Sequence, residues 1–159
     1  MHRAIKYLIW IPVIFMAVII FGFSGQNGNE SGGLSRKAAK VILTAADSCN
    51  IVFVTEENEE QYIENLQFPI RKAAHMTEYA MLALLCLLAL TVDGVGMPIR
   101  YIGAVAMSFV FACTDEFHQL YVPDRSGKFT DVLIDTMGCL IAVGIVFCVH
   151  KVRERKDSV

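Results

Sequence analysis

Arg71, His75, Glu78 and Tyr79 follow one another at i, i+4, i+7 and i+8. On a helix that spacing puts two bases, an acid and a phenol on a single face. Asp115, His118 and Gln119 repeat an i, i+3, i+4 relation, and Asp131 and Asp135 stand at i, i+4. Three kinds of chemistry fit these residue types. The H-x-x-E pair His75/Glu78 and the D-x-x-H pair Asp115/His118 have the carboxylate–imidazole spacing of helical di-metal sites, so these four are candidate ligands for a divalent metal. With Glu116 they are also the candidate catalytic acids and bases of a hydrolase or transferase acting on a lipid-linked or phosphate-containing substrate. Arg71, Lys72 and Arg125 suit a phosphate or diphosphate, because guanidinium binds such oxygens in bidentate fashion. A third reading is structural, with acids and bases pairing to hold helix ends together; a transport pathway is a further alternative. Ser24 and Ser126 carry hydroxyls, but neither lies in a G-x-S-x-G or S-x-x-K context. "PDRSG" reads as a turn set by its proline and glycine.

The elements that must carry these groups are apolar. Of 159 residues, 55% are hydrophobic and only 19% charged, with a mean hydropathy of +0.48. Four apolar stretches, at about 4–23, 73–92, 99–117 and 129–150, approach the ~20 residues that cross a bilayer as a helix. The first two lack the polar stripe that a soluble bundle requires. The expected fold is therefore all-α: an integral membrane four-helix bundle forming one domain over 1–159. An extramembrane loop, 24–68, joins its first two helices. Within that loop "SGQNGNESGG" reads as a flexible turn region. "SRKAAKVILTAA" reads as an amphipathic helix capped by Ser35, lying on the membrane surface or folded over the bundle. "TEENEEQYIENL" reads as a solvated helical turn.

Four spans place the end of the first helix, the start of the second, the end of the third and the start of the fourth at one membrane face. Those places hold Ser24 and Gln26, "RKAAHMTEY", "TDEFHQ" and "DRSGKFTDVLID". The polar residues are thus expected to converge on one mouth. Charged groups at membrane depth are costly unless they face a polar interior and pair. On the ligand-binding reading the pocket is built from Ser24, Gln26, Arg71, Lys72, Tyr79, Gln119, Arg125, Asp131 and Asp135. Gly138 and Ala142 continue the Asp131/Asp135 face as small residues suited to close helix packing.

A net charge of −2 argues against a nucleic-acid partner, since no basic field neutralises phosphates. The five cysteines include no C-x-x-C pair, and the four in apolar runs read as small hydrophobes. "MHRAIK" resembles the basic start of a secretory signal. However, the apolar run is long and "FGFSGQ" has no small-x-small site, so an uncleaved anchor is expected. Lysine and arginine fall seven to each side of the bundle. The tie breaks on "HKVRERK" abutting the last helix, which places both termini in the cytoplasm.

"FSGQ", "RKAAHMTEYAML" and "TDEFHQLYVPDRSGKFTDVLIDTMG" together resemble the VanZ-like family of bacterial membrane proteins. The resemblance covers most of the chain in order. It implies a four-helix membrane domain and a Gram-positive-type cell envelope, with one member linked to reduced susceptibility to the glycopeptide antibiotic teicoplanin. It maps the family's polar positions onto the residues named above and supplies no biochemical activity. The combined expectation is a multi-pass membrane protein. Its extracytoplasmic pocket binds an anionic envelope lipid or a lipid-linked cell-wall precursor, with catalysis or a non-catalytic scaffold as the alternatives.

Overall fold

The computed structural model describes residues 6–26, 28–123 and 125–157, and among these the regular structure is entirely helical: α1 (Ile11–Ser24), α2 (Gly28–Ser48), α3 (Glu59–Val92), α4 (Ile99–Gln119) and α5 (Phe129–Asp157). The start of the first helix, expected at Ala4, lies outside the described residues. Three helical stretches are long and apolar enough to cross a membrane: Lys6–Ser24, Glu59–Val92 and Phe129–Lys156. Four were expected. The missing one is α4, which has the length but carries Arg100 near one end and Asp115 and Glu116 near the other. Those charges dilute its apolar character.

Helix α3 organises the fold, packing against each of the other four helices. It spans 34 residues, about 51 Å at 1.5 Å per residue, whereas a hydrocarbon core is about 30 Å thick. The acidic segment expected to be a separate solvated turn is instead the first part of this helix. Pro69 lies inside it and removes one helical N–H donor, at the junction between the polar and apolar halves.

The polar half of α3 pairs with α2. Ala39 and Leu43 from α2 bury against Ile63, and two ion pairs, Arg36–Glu60 and Lys40–Glu59, tie the helices across solvent. Two expectations are corrected here. The "SGQNGNESGG" segment is helical from Gly28, because α2 gains a tertiary partner that outweighs its glycines' poor propensity. Ser35 is no N-cap: it sits inside α2, and its hydroxyl donates to the Gly32 carbonyl at 3.0 Å.

In the apolar half, Val13, Met16 and Ile20 of α1 meet Tyr79, Leu82, Ala83 and Cys86 of α3. Outward-facing residues remain apolar too: Ile14, Phe15 and Val18 on α1 and Met137, Ile141 and Ile145 on α5 are exposed. A surface of that kind suits lipid rather than water. Without a hydrophobic drive between helices in lipid, close packing must hold them together. Gly138 supplies it, since a Cβ there would collide with the Met76 carbonyl of α3. Next to it, Cys139 Sγ donates to the Tyr79 carbonyl at 3.3 Å. All five cysteines are free, with Cys86 and Cys139 buried.

The two ends of the bundle differ. At one, Trp10 Nε1 donates to Asp93 Oδ2 at 3.0 Å and Lys6 Nζ to the Asp93 carbonyl at 3.1 Å, fastening α1 to the α3–α4 turn. Gly94, with φ of +83°, closes that turn in a conformation that favours glycine. The opposite end gathers almost all the remaining buried polarity.

Candidate functional site

The end of α1, the middle of α3, the end of α4 and the start of α5 meet at this second end. Gln119 Nε2 donates to Ser24 Oγ at 2.7 Å. Lys72 Nζ pairs with Asp131 Oδ2 at 2.5 Å, both side chains mostly buried. Glu116 holds the connecting turn: its Oε2 accepts from the Lys128 backbone N–H at 2.8 Å. The turn lies so close to α4 that a Cβ on Gly127 would overlap the Glu116 carbonyl, so this position needs glycine. The glycine of "PDRSGK" thus sets how closely the turn approaches, and with it the place of Arg125.

Two cavities open among these groups. The larger, of 370 Å³, is polar; Arg71, Lys72 and His75 of α3 face Glu116 and Gln119 of α4 across it. Arg125, Ser126 and Lys128 from the turn and Asp131 and Asp135 from α5 complete it. The smaller, of 180 Å³, lies under α2 and is mostly apolar. Phe23, Leu34, Ala38, Ile70 and Ala74 line it, with Gln26 and Glu78 as its polar edge. Arg71, His75 and Arg125 belong to both.

The charges in the polar cleft are unequally satisfied. Lys72 has Asp131, and its ammonium also lies 5.5 Å from the centre of the Phe68 ring. Arg125 Nε donates to the Gln26 carbonyl at 3.2 Å and Nη2 to the Phe23 carbonyl at 3.4 Å. A salt bridge to Asp115, Glu116 or Asp131 was the structural alternative for Arg125. The carbonyls at the end of α1 take that place instead, where a cation is also favoured by the helix dipole. Burial and the neighbouring Arg71 guanidinium lower the Arg125 pKa from the usual arginine range. Arg71 itself is partly buried and has neither a hydrogen bond nor an ion pair among the described residues.

Other expected residues separate into different surroundings. Tyr79 and Ser24 are fully buried and line neither cavity. Asp115 is 1% exposed, and its carboxylate faces the polar groups of Ser24, Tyr79 and Gln119. His118 stacks on Phe21 of α1 with ring centres 4.3 Å apart, which makes it a packing group between α4 and α1. His75 Nδ1 lies 3.7 Å from Glu78 Oε2, too long for a hydrogen bond. Among the described residues no three His, Cys, Asp or Glu side chains group as metal ligands. The possible set His75, Glu78, Asp115 and His118 is therefore split. Two members face the cavity under α2, one is sealed in the interior and one is against α1.

Sequence reasoning missed Ser126, Lys128 and Thr130 as cleft residues. Their signal was their place in the same short turn as Arg125 and Asp131. Phe68 was missed because nothing marked α3 as continuous through Pro69.

The family model for VanZ/LLP1 matches residues 9–150, which takes in all of these groups. The chain belongs to the VanZ-like family. No curated protein and no solved structure matches it. The VanZ-like match spans the apolar helices and both cavities, so the polar end lies within the family's own domain.

Proposed function

We propose that this VanZ-like protein binds an anionic envelope lipid, or a lipid-linked cell-wall precursor, through a phosphate held in the polar cleft. The observation that carries the reading is Arg71. It is a partly buried guanidinium that lines the cleft and has no acceptor of its own among the described residues. A guanidinium with no protein acceptor is free to take one from a ligand, and a phosphate would supply acceptors in bidentate form. Arg125 lies on the same cavity wall, and the Ser126 hydroxyl and the Lys128 ammonium are further donors on it. The size also suits a ligand, since 370 Å³ falls within the ~300–1,000 Å³ usual for small-molecule sites.

Arg71→Gln tests this directly. It keeps a polar side chain and removes the cation from a residue that supports no other contact. The expected result is about a tenfold loss of affinity for phosphatidate in phosphatidylcholine nanodiscs, the low end for a charged hydrogen bond. Unchanged phosphatidate affinity would remove the reading.

On the same proposal α4 is a fourth span and both termini are cytoplasmic, so the cleft faces outward. Support for the span comes from the fastening of Asp93 to Trp10 and Lys6 at one end and the polar convergence at the other. Support for the orientation comes from the basic run Lys151–Lys156 beside the apolar part of α5. A cysteine at Asn58, in a background free of native cysteines, should react with an impermeant thiol reagent in intact cells. Labelling only after lysis would reverse the orientation. A bearing on teicoplanin susceptibility follows where the bound lipid is a cell-wall precursor.

A further inference from the structure

We infer that the cavity beneath α2 holds the first part of the ligand's hydrocarbon chain, so that the site selects lipid-linked phosphates over water-soluble ones. This deepens the phosphate reading above and rests on it. A phospholipid carries its charge and its chain on neighbouring atoms, and therefore needs a cationic and an apolar environment side by side. Arg71, His75 and Arg125 form that border, lining the polar cleft on one side and the apolar cavity on the other. The apolar walls come from three helices: Phe23 of α1, Leu34 and Ala38 of α2, and Ile70 and Ala74 of α3.

The roof is a fixed part of the fold. Ala39 and Leu43 anchor α2 on Ile63, and the Arg36–Glu60 and Lys40–Glu59 pairs hold its polar edge. A second apolar stripe of α2 stays uncovered: Leu34, Val41 and Ile42 are 58%, 70% and 48% exposed. Leu34 belongs to both the cavity wall and this stripe. Leu34 thus joins an exposed apolar stripe to the cavity wall, where a hydrocarbon chain can enter. A free sugar phosphate would use the polar cleft alone and leave the apolar cavity unfilled.

Filling the cavity from its roof separates the two cases. Ala38→Phe adds bulk on the α2 wall of the apolar cavity and leaves the polar cleft, which Ala38 does not line, unchanged. The probes are didodecanoyl phosphatidate and glycerol 3-phosphate, titrated into the purified full-length protein by calorimetry. The variant should bind phosphatidate about tenfold more weakly, a usual cost of overfilling a packed site, and glycerol 3-phosphate as the wild type does. If wild type binds both probes and Ala38→Phe weakens neither, the chain inference is overturned while the phosphate reading stands. If wild type binds neither, the phosphate reading falls and takes the inference with it. A check on the unaltered protein guards against misfolding of the variant. Phosphatidate with a photoreactive group near the start of its acyl chain should label residues 34–38 of α2, and labelling confined to α4 and α5 would overturn the placement.

Discussion

Lys72→Met should lower the stability of the purified protein by about 2 kcal/mol, between the values for exposed and fully buried ion pairs. The Lys72–Asp131 pair joins the middle of α3 to the first turn of α5, with side-chain exposures of 18% and 16%. Removing the ammonium leaves Asp131 in a cleft that already holds Glu116 and Asp135, so the loss includes carboxylate repulsion as well as the missing contact. The double variant Lys72→Met/Asp131→Leu should recover most of the loss, because neither charge then remains to be desolvated. Thermal unfolding of the two single variants and the double variant gives the coupling directly. Additive losses would show that the pair contributes no mutual stabilisation.

The second large effect has the opposite sign. Asp115→Asn should raise stability by about 1–3 kcal/mol, because it removes a carboxylate whose burial is costly without a cation beside it. Asp115 is sealed in the interior beside the polar groups of Ser24, Tyr79 and Gln119, and has no ion pair with Lys or Arg among the described residues. Gln119 also donates to Ser24 and, at 3.4 Å, to Glu116. Asparagine has nearly the same shape and brings its own donors, so packing is preserved while the charge is removed. A fall in melting temperature on Asp115→Asn would show that the carboxylate is paired and structural.

Much of this arrangement was legible in the sequence, and the parts that were not share a cause. The convergence of Ser24, Lys72, Gln119 and Asp131 at one end follows from the alternation of apolar stretches and short polar turns, which reads as helices running back and forth. Spacing also put Asp131 and Asp135 together, and both line the polar cleft. Spacing failed where a second helix decides the surroundings. His118 and Asp115 lie one turn apart on α4, yet His118 is taken by Phe21 of α1 and Asp115 is closed off in the interior. Local pattern found the amphipathic helix at 35–46 but not its first turns: the glycines before it suggest a loop, and α2 as a whole docks through Ala39 and Leu43 on Ile63. The length of α3 was hidden for a similar reason. Acidic residues and Pro69 look like a boundary until the polar half is seen to pair with α2.

A structure of the full-length protein in lipid nanodiscs containing phosphatidate bears most directly on the central claim. The account predicts phosphate density in the polar cleft, its oxygens about 2.7–2.9 Å from guanidinium nitrogens of Arg71, with Arg125 on the same side. Density elsewhere, or Arg71 turned onto a carboxylate with no phosphate in the cleft, would contradict it.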